Sequence, residues 1–283
     1  MRNINNLMLQ NYFSGLGKSD IGGPTVLKIR EVISSALSRD VVNGLLIVNP
    51  ALDVEIPRSK QVNKCKPKPN LSPEEFNKLL LLVDEPYATM IYVAVWTGLR
   101  PSELIGLKWE DVGLDSLTID ERYCRGDWDV PKTEASNATI AVVTEVIQRI
   151  HALKNLEVEI NWGGQGAKKK FKVVRSSNPT DLVFQSVCEG KPMNDQNILR
   201  RHLRPAALKL KIDPKKANWR SLRRSRATWL VRAGVDIKTA QGLMRHSRTG
   251  PLLDIYAQTV PEAQKQAVAQ TMAMAMKLTQ VAN

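Results

Sequence analysis

The spacing of apolar residues near the beginning of the chain predicts an amphipathic helix. One helical face collects apolar side chains three or four positions apart: Val26, Ile29, Ile33, Ala36 and Leu37. Thr25 precedes this face and is suited to cap the helix, because its hydroxyl can accept a hydrogen bond from the first turn. Asn43-Gly44 is typical of a helix end, and Asn49-Pro50 of a turn. Residues 1–57 are therefore predicted to be helical.

Residues 58–70 interrupt the apolar pattern with a basic stretch that contains prolines and almost no apolar side chains. This composition favours an extended linker over a packed element. We predict that it joins a partial N-terminal domain, residues 1–57, to a second domain, residues 71–283. Its charge would equally suit a contact along a phosphate backbone, and both interpretations stay open.

The second domain begins with a helix-start signal. Ser72 is suited to the N-cap, Pro73 to the first helical position, and Glu75 to a capping box with Ser72. A second helical pattern ends at Gly98, and a third begins at Pro101. Further helices are predicted from Thr144 onward and over residues 194–210, 219–233, 236–245 and 260–278.

Three short runs rich in β-branched or aromatic residues predict strands at residues 117–120, 128–131 and 139–143. Residues 161–178 contain three glycines and a basic run at 168–170, and we predict a loop or insertion there. The basic run fits a solvated surface, with a DNA contact as the alternative. The predicted fold class is mainly α, with a small antiparallel sheet in the second domain.

The charge balance adds a class of partner. The 283 residues include 41 Lys and Arg against 28 Asp and Glu, a formal net charge of +13. Excess positive charge attracts polyanions, most commonly nucleic acid. A membrane surface or RNA would suit the charge equally well, although no apolar run approaches the roughly 20 residues that span a bilayer. Charge therefore indicates a partner class and no chemistry.

The cysteines predict neither a zinc site nor a disulfide framework. Cys65, Cys124 and Cys188 are odd in number, far apart, and lack metal-ligand spacing. Free thiols fit a reducing cytosol, and the first residues lack the apolar core of a signal peptide. We expect no metal, no cofactor and a cytoplasmic location.

Four chemistry-bearing residues follow one another in a fixed order: Arg100, Arg223, His246 and Tyr256. Attack on a phosphodiester builds negative charge on the non-bridging phosphate oxygens, and preorganised guanidinium groups can stabilise it with forked hydrogen bonds. Tyrosine is among the side chains that hold covalent intermediates. The combination suits attack by a tyrosine hydroxyl on DNA.

The segments that contain these residues resemble the motifs of one family. Residues 97–104, Thr-Gly-Leu-Arg-Pro-Ser-Glu-Leu, resemble the first arginine box of the tyrosine site-specific recombinases, the phage-integrase family. Residues 131–136, Pro-Lys-Thr-Glu-Ala-Ser, resemble the family's lysine-bearing β-turn. Residues 222–228 resemble the second arginine box, and residues 244–256 the histidine-then-tyrosine box. Each motif is weak alone, but four in the right order make a strong signal.

The resemblance implies a role for each matching position. Arg100 and Arg223 would clamp the scissile phosphate. Lys132 would protonate the leaving 5′-oxygen, since a departing alkoxide needs a general acid. His246 would hydrogen-bond a phosphate oxygen or orient the pocket. Tyr256 would attack and form a 3′-phosphotyrosyl link.

Two further residues are predicted to support the site. Glu103 lies one helical turn after Arg100, a spacing that lets its carboxylate orient a guanidinium group. Arg220 occupies the place, three residues before Arg223, where the family usually has a histidine. Arginine stays charged at any relevant pH, so it can bind phosphate but cannot easily accept a proton.

Each side chain also has a structural alternative. For Arg100 the alternative is a surface or helix-cap charge, for Arg223 an ion-pair partner, and for Lys132 a turn lysine. For His246 it is a core histidine, for Tyr256 a core aromatic residue, and for Glu103 a surface helix residue. Arg224 is the rival to Arg223 for the second arginine position.

The resemblance implies a mobile-element integrase or recombinase that acts on double-stranded DNA in the prokaryotic nucleoid, without cofactor or metal. It implies a homotetramer on DNA, a monomer without it, and an accessory DNA-bending protein. The short helical start is similar to the end of the family's SAM-like core-binding domain, which normally has about four helices. A catalytically weak DNA-binding relic and a topoisomerase-like enzyme remain alternatives.

Overall fold

The computed structural model describes residues 4–19, 21–56, 68–130, 137–154, 156–162, 169–174, 176–186, 190–245, 249–250, 252–253, 255 and 272. It divides into two compact units, Met1–Lys66 and Pro67–Asn283. The predicted domain limits at residues 57 and 71, and the linker between them, stay predictions.

The first unit contains helices α1 (Asn6–Gly17) and α2 (Gly23–Val42). The predicted cap at Thr25 is wrong. The N-cap is Gly22, three residues earlier, because a proline fits the first turn, where its missing N–H is not needed. The helix ends at Val42 as predicted, but turns follow it up to residue 56 instead of helix.

A small apolar core holds the first unit together. Its buried members come from both helices and from the turns that follow: Leu9, Phe13, Val26, Leu37, Ala51 and Val54. Asn49 helps to fix these turns, since its side-chain amide donates to the Ser34 carbonyl at 2.9 Å and its oxygen accepts from the Ala51 N–H at 2.9 Å.

Eight helices of the second unit fall within the described residues. In chain order they are α3 (Pro73–Leu80), α4 (Tyr87–Thr97), α5 (Pro101–Gly106), α6 (Thr144–His151), α7 (Asp195–Ile198), α8 (Arg204–Lys209), α9 (Trp219–Arg232) and α10 (Ile237–Leu243). A π-helical turn, Leu199–Leu203, joins α7 to α8. The single helix predicted over residues 194–210 is therefore built from three pieces.

The predicted capping box at the start of α3 is confirmed. The Ser72 hydroxyl accepts from the Glu75 N–H at 3.1 Å, and the Glu75 carboxylate accepts from the Ser72 N–H at 2.8 Å. Helix α9 is tied to the same place, because the Ser225 hydroxyl accepts from the Leu71 N–H at 2.8 Å and the Trp229 indole donates to the Leu71 carbonyl at 3.0 Å.

Helix α4 lies at the centre of the second unit's core. Eight of its eleven residues are buried, although Trp96 is 43% exposed, and the helix packs against α9 and α6. Gly98 ends it with a φ of 68°, the left-handed conformation that glycine adopts without a Cβ clash. The sequence-predicted end of this helix is confirmed.

The strands form three antiparallel pairs among the described residues. They are β1 (Ser116–Ile119) with β4 (Ala138–Ala141), β2 (Arg122–Cys124) with β3 (Asp127–Asp129), and β5 (Glu157–Trp162) with β6 (Lys169–Val174). The three predicted strands correspond to β1, β3 and β4. Strand β2 was not predicted.

The loop predicted at residues 161–178 is wrong over part of its length. Ile160 pairs with Phe171 and Trp162 with Lys169, so the residues on either side of the glycines form a hairpin. The glycines favour a loop, whereas the β-branched and aromatic residues on either side of them favour strands. Along the described part of the chain, no helix has the length and apolar character needed to cross a membrane.

Candidate active site

Arg100 is held by the first turn of α5. It occupies the N-cap position with extended backbone, and Pro101 begins the helix. Glu103 accepts from the Arg100 main-chain N–H at 2.8 Å and from its guanidinium at 2.7 Å. The arginine side chain is one-third exposed while the carboxylate is 1% exposed, so one end of the pair is buried and the other reaches solvent.

Glu103 also contacts a second arginine. Its Oε2 accepts from the guanidinium of Arg245, which lies 142 positions away and is 4% exposed. Both carboxylate oxygens are therefore engaged by guanidinium groups. Arg245 has a φ of 47°, a left-handed conformation that L side chains rarely adopt.

Helix α9 supplies Arg223. Its guanidinium donates to the Gly98 carbonyl and to the Met244 carbonyl, so it bridges the segment after α4 and the segment after α10. The neighbouring Arg224 instead donates to the Pro69 carbonyl at 2.9 Å. The structure thus directs these two adjacent arginines to different partners.

Burial and like charge lower the pKa of two arginines in this cluster. Burial, and then the nearby charge of Arg100, lower the pKa of Arg223 to about 10. Burial and the charge of Arg245 lower the pKa of Arg226 to about 10 as well. Both remain charged at neutral pH. Among the described groups acting on the Arg223 pKa, Glu103 is the one carboxylate, against three guanidinium groups.

Arg100 and Arg223 border a cleft of about 1370 Å³ in the second unit. Its walls come from the starts of α5, α7 and α9 and from the β2–β3 turn. Five arginines line it: Arg100, Arg125, Arg204, Arg220 and Arg223. Asp195 is the one carboxylate among the described lining residues, so the cleft is strongly basic and suited to a polyanion.

Three predicted site residues, Arg100, Arg220 and Arg223, therefore line one cleft, and Glu103 lies behind Arg100. Lys132, His246 and Tyr256 lie outside the described residues, and their roles stay predictions.

Sequence reasoning missed four arginines of this region: Arg125, Arg204, Arg226 and Arg245. For Arg125 the sequence does contain a signal, because the glycine that follows it favours a hairpin turn. In the structure Arg125 and Gly126 form the β2–β3 turn, both with positive φ. Arg226 and Arg245 lie inside the quoted motifs, but nothing in their spacing indicates that Arg245 is buried beside the distant Glu103 or that Arg226 lies near Arg245.

Comparisons with known proteins identify the family of the chain. The family model described as the phage integrase family matches residues 69–262. A tyrosine recombinase XerC-like protein of Caldanaerobacter subterraneus subsp. tengcongensis is 23% identical, over 94% of this chain and 70% of its own length. The prophage integrase IntR of Escherichia coli (strain K12) is 27% identical, over 74% of this chain and 52% of its own length. The chain thus spans between about half and 70% of these two relatives.

A solved structure has the same fold. The Tn1549 transposon integrase, in complex with a circular intermediate DNA, superposes with a TM-score of 0.70 at 19% identity, over 95% of this chain and 86% of that chain.

The family model and the relatives identify the chain as a tyrosine recombinase, a class of DNA strand-transferring enzymes. Since the family model covers well over half of its residues, the chain belongs to the phage integrase family.

Proposed function

We propose that this chain is the site-specific recombinase of a mobile element and that its basic cleft binds the scissile phosphate of double-stranded DNA. One observation carries the proposal: Arg100 and Arg223 lie side by side in a cleft where guanidinium groups far outnumber carboxylates. A cleft lined by charges of one sign attracts an ion of the opposite sign. A phosphodiester supplies that charge, and supplies more of it in the transition state.

The chemistry needs one covalent intermediate. The Tyr256 hydroxyl oxygen attacks the phosphorus, the bond from phosphorus to the 5′-oxygen breaks, and a 3′-phosphotyrosyl ester remains. Lys132 gives a proton to the departing 5′-oxygen, and His246 hydrogen-bonds a phosphate oxygen. Attack by a 5′-hydroxyl of a second strand reverses the step, so the ester conserves the energy of the bond.

The charged residues have complementary roles. Arg100 and Arg223 bind the non-bridging oxygens, and Glu103 orients Arg100 through its two contacts with that residue. Arg220 lines the same cleft at the start of α9 and adds a permanent positive charge there. Because arginine does not release its proton in the working pH range, the tyrosine proton has to leave by another group or by water.

Recombination joins four strand ends, so we propose a homotetramer on DNA that forms from monomers. We also propose that an accessory DNA-bending protein takes part. The proposed location is the nucleoid in the cytoplasm, because the substrate is chromosomal and element DNA.

A suicide duplex tests the proposal. The duplex carries the element's own ends and a nick beside the cleavage position, so that the short 5′-hydroxyl fragment diffuses away and the covalent link cannot reverse. We expect a protein–DNA adduct on denaturing gels. A protein that binds the duplex and forms no adduct would be a DNA-binding relic instead.

A further inference from the structure

We infer that Arg245 is a positioning residue for DNA cleavage, which acts on Arg100 through Glu103. This inference rests on the proposed function, since it assigns Arg100 to the scissile phosphate. Arg245 follows α10 and enters the cluster from a part of the chain far from α5 in sequence.

The contacts at Glu103 form a chain of three groups. Its Oε1 accepts from the Arg100 guanidinium at 2.7 Å, and its Oε2 accepts from the Arg100 main-chain N–H at 2.8 Å and from Arg245. The Arg245 contact occupies the oxygen that the Arg100 guanidinium does not. Rotation of the carboxylate, which would displace Arg100, must break the contact with Arg245.

Charge gives Arg245 a second effect on the same residue. Glu103 and Arg245 are both almost fully buried, so little water screens them. Arg245 offsets part of the negative charge of Glu103, which leaves Arg100 more of its own charge for an approaching phosphate. The loss of Arg245 would free the carboxylate to neutralise Arg100.

The backbone conformation at Arg245 indicates that the arginine side chain has a role at this position. Its φ of 47° is one that glycine adopts readily and an L side chain rarely. Backbone geometry alone would favour glycine here, so the presence of arginine indicates work done by the guanidinium group. The chain also continues from Arg245 directly into His246, so the contact with Glu103 fixes the start of that motif relative to α5.

Arg245→Gly and Arg245→Lys separate these effects, because glycine suits the backbone and lysine keeps the charge. Arg232→Ala is the matched control, since it removes an exposed arginine from the end of α9. Single-turnover cleavage of the suicide duplex is measured at saturating DNA. Affinity is measured separately with each substitution combined with Tyr256→Phe, which prevents covalent capture.

We expect Arg245→Gly to cleave about ten to a hundred times more slowly, the usual effect of removing a group that holds a reacting residue. Arg245→Lys should recover part of that loss, and Arg232→Ala should cleave at the wild-type rate. Affinity should change little, because many other Lys and Arg residues contact the DNA backbone. Cleavage by Arg245→Gly at the wild-type rate would overturn the inference.

A double substitution tests the action of Arg245 through Glu103 even if Arg245→Gly does not fold. With Glu103→Gln present, Arg245→Lys should add little further loss, because the group that transmits its effect has gone. Fully additive losses would also overturn the inference. Absence of any adduct with the wild-type protein would instead contradict the proposed function, and the inference with it.

Discussion

At the scale of single residues, the site depends on guanidinium groups held in place by main-chain carbonyls and by a carboxylate. The Arg223 guanidinium donates two N–H groups to the carbonyls of Gly98 and Met244, which fix the plane of the guanidinium before any substrate binds. Arg100 is fixed by Glu103. Groups that need no reorganisation stabilise transition-state charge most effectively.

Arg100→Ala and Arg223→Ala should each lower the cleavage rate at saturating DNA by at least about a hundredfold, the scale for one preorganised donor. Arg224→Ala is the matched control on the same helix and should cleave close to the wild-type rate, because Arg224 contacts Pro69 instead. Suicide-duplex cleavage measures all three. A loss of cleavage in Arg224→Ala, with Arg223→Ala at the wild-type rate, would exchange the two assignments.

The lowered pKa of Arg223 has a defined consequence for stability. Its folded pKa of about 10 lies below the ordinary arginine value, so the unfolded chain binds more protons above about pH 10 and stability then rises with pH. Below about pH 9 the group is charged in both states. The difference in unfolding free energy between wild type and Arg223→Met should therefore be constant from pH 6 to about pH 9, measured by urea denaturation. A slope in that range would show that Arg223 titrates there.

At the scale of elements, the sequence predicted helices well where an end signal was local. The capping box of α3 and the glycine at the end of α4 both act within a few residues, and both predictions hold. The β5–β6 hairpin was missed because its pairing joins residues on opposite sides of a glycine-rich stretch. The π-helical turn before α8 has no local signal either.

The same distinction applies to the site. The motifs predicted candidate arginines, and the structure places Arg100, Arg220 and Arg223 along one cleft, while their roles stay predictions. The sequence could not show that Arg245 contacts Glu103 or that Arg226 lies near Arg245, because both depend on how α9 and the segment after α10 pack.

Glu103 links elements, so its removal should affect folding as well as cleavage. We expect Glu103→Gln to lower the free energy of unfolding by about 3 kcal/mol, because it leaves the buried Arg245 without its carboxylate. The matched control is Glu75→Gln, which weakens the pair with Lys216, about 30% exposed, and should cost under about 1 kcal/mol. Urea denaturation compares them. Equal losses of unfolding free energy would mean that burial of the Glu103–Arg245 pair adds nothing to its contribution to stability.

At the scale of the whole molecule, the net charge of +13 governs binding to DNA. Neutralisation of phosphates releases counterions, so affinity should fall by about 10³-fold or more between 50 and 200 mM salt if six or more phosphates are contacted. Fluorescence anisotropy with the Tyr256→Phe variant measures this without covalent capture. An affinity that barely changes over that range would contradict a large contact with the DNA backbone.

The covalent adduct tests the central claim most directly, namely that this chain cleaves DNA with Tyr256 beside its arginine-lined cleft. The adduct formed on the suicide duplex is digested with protease and nuclease, and mass spectrometry locates the residue that holds the nucleotide. We expect it on Tyr256 in the wild-type protein, with no adduct in Tyr256→Phe and normal DNA binding by that variant. An adduct on another residue, or one that persists in Tyr256→Phe, would contradict the account.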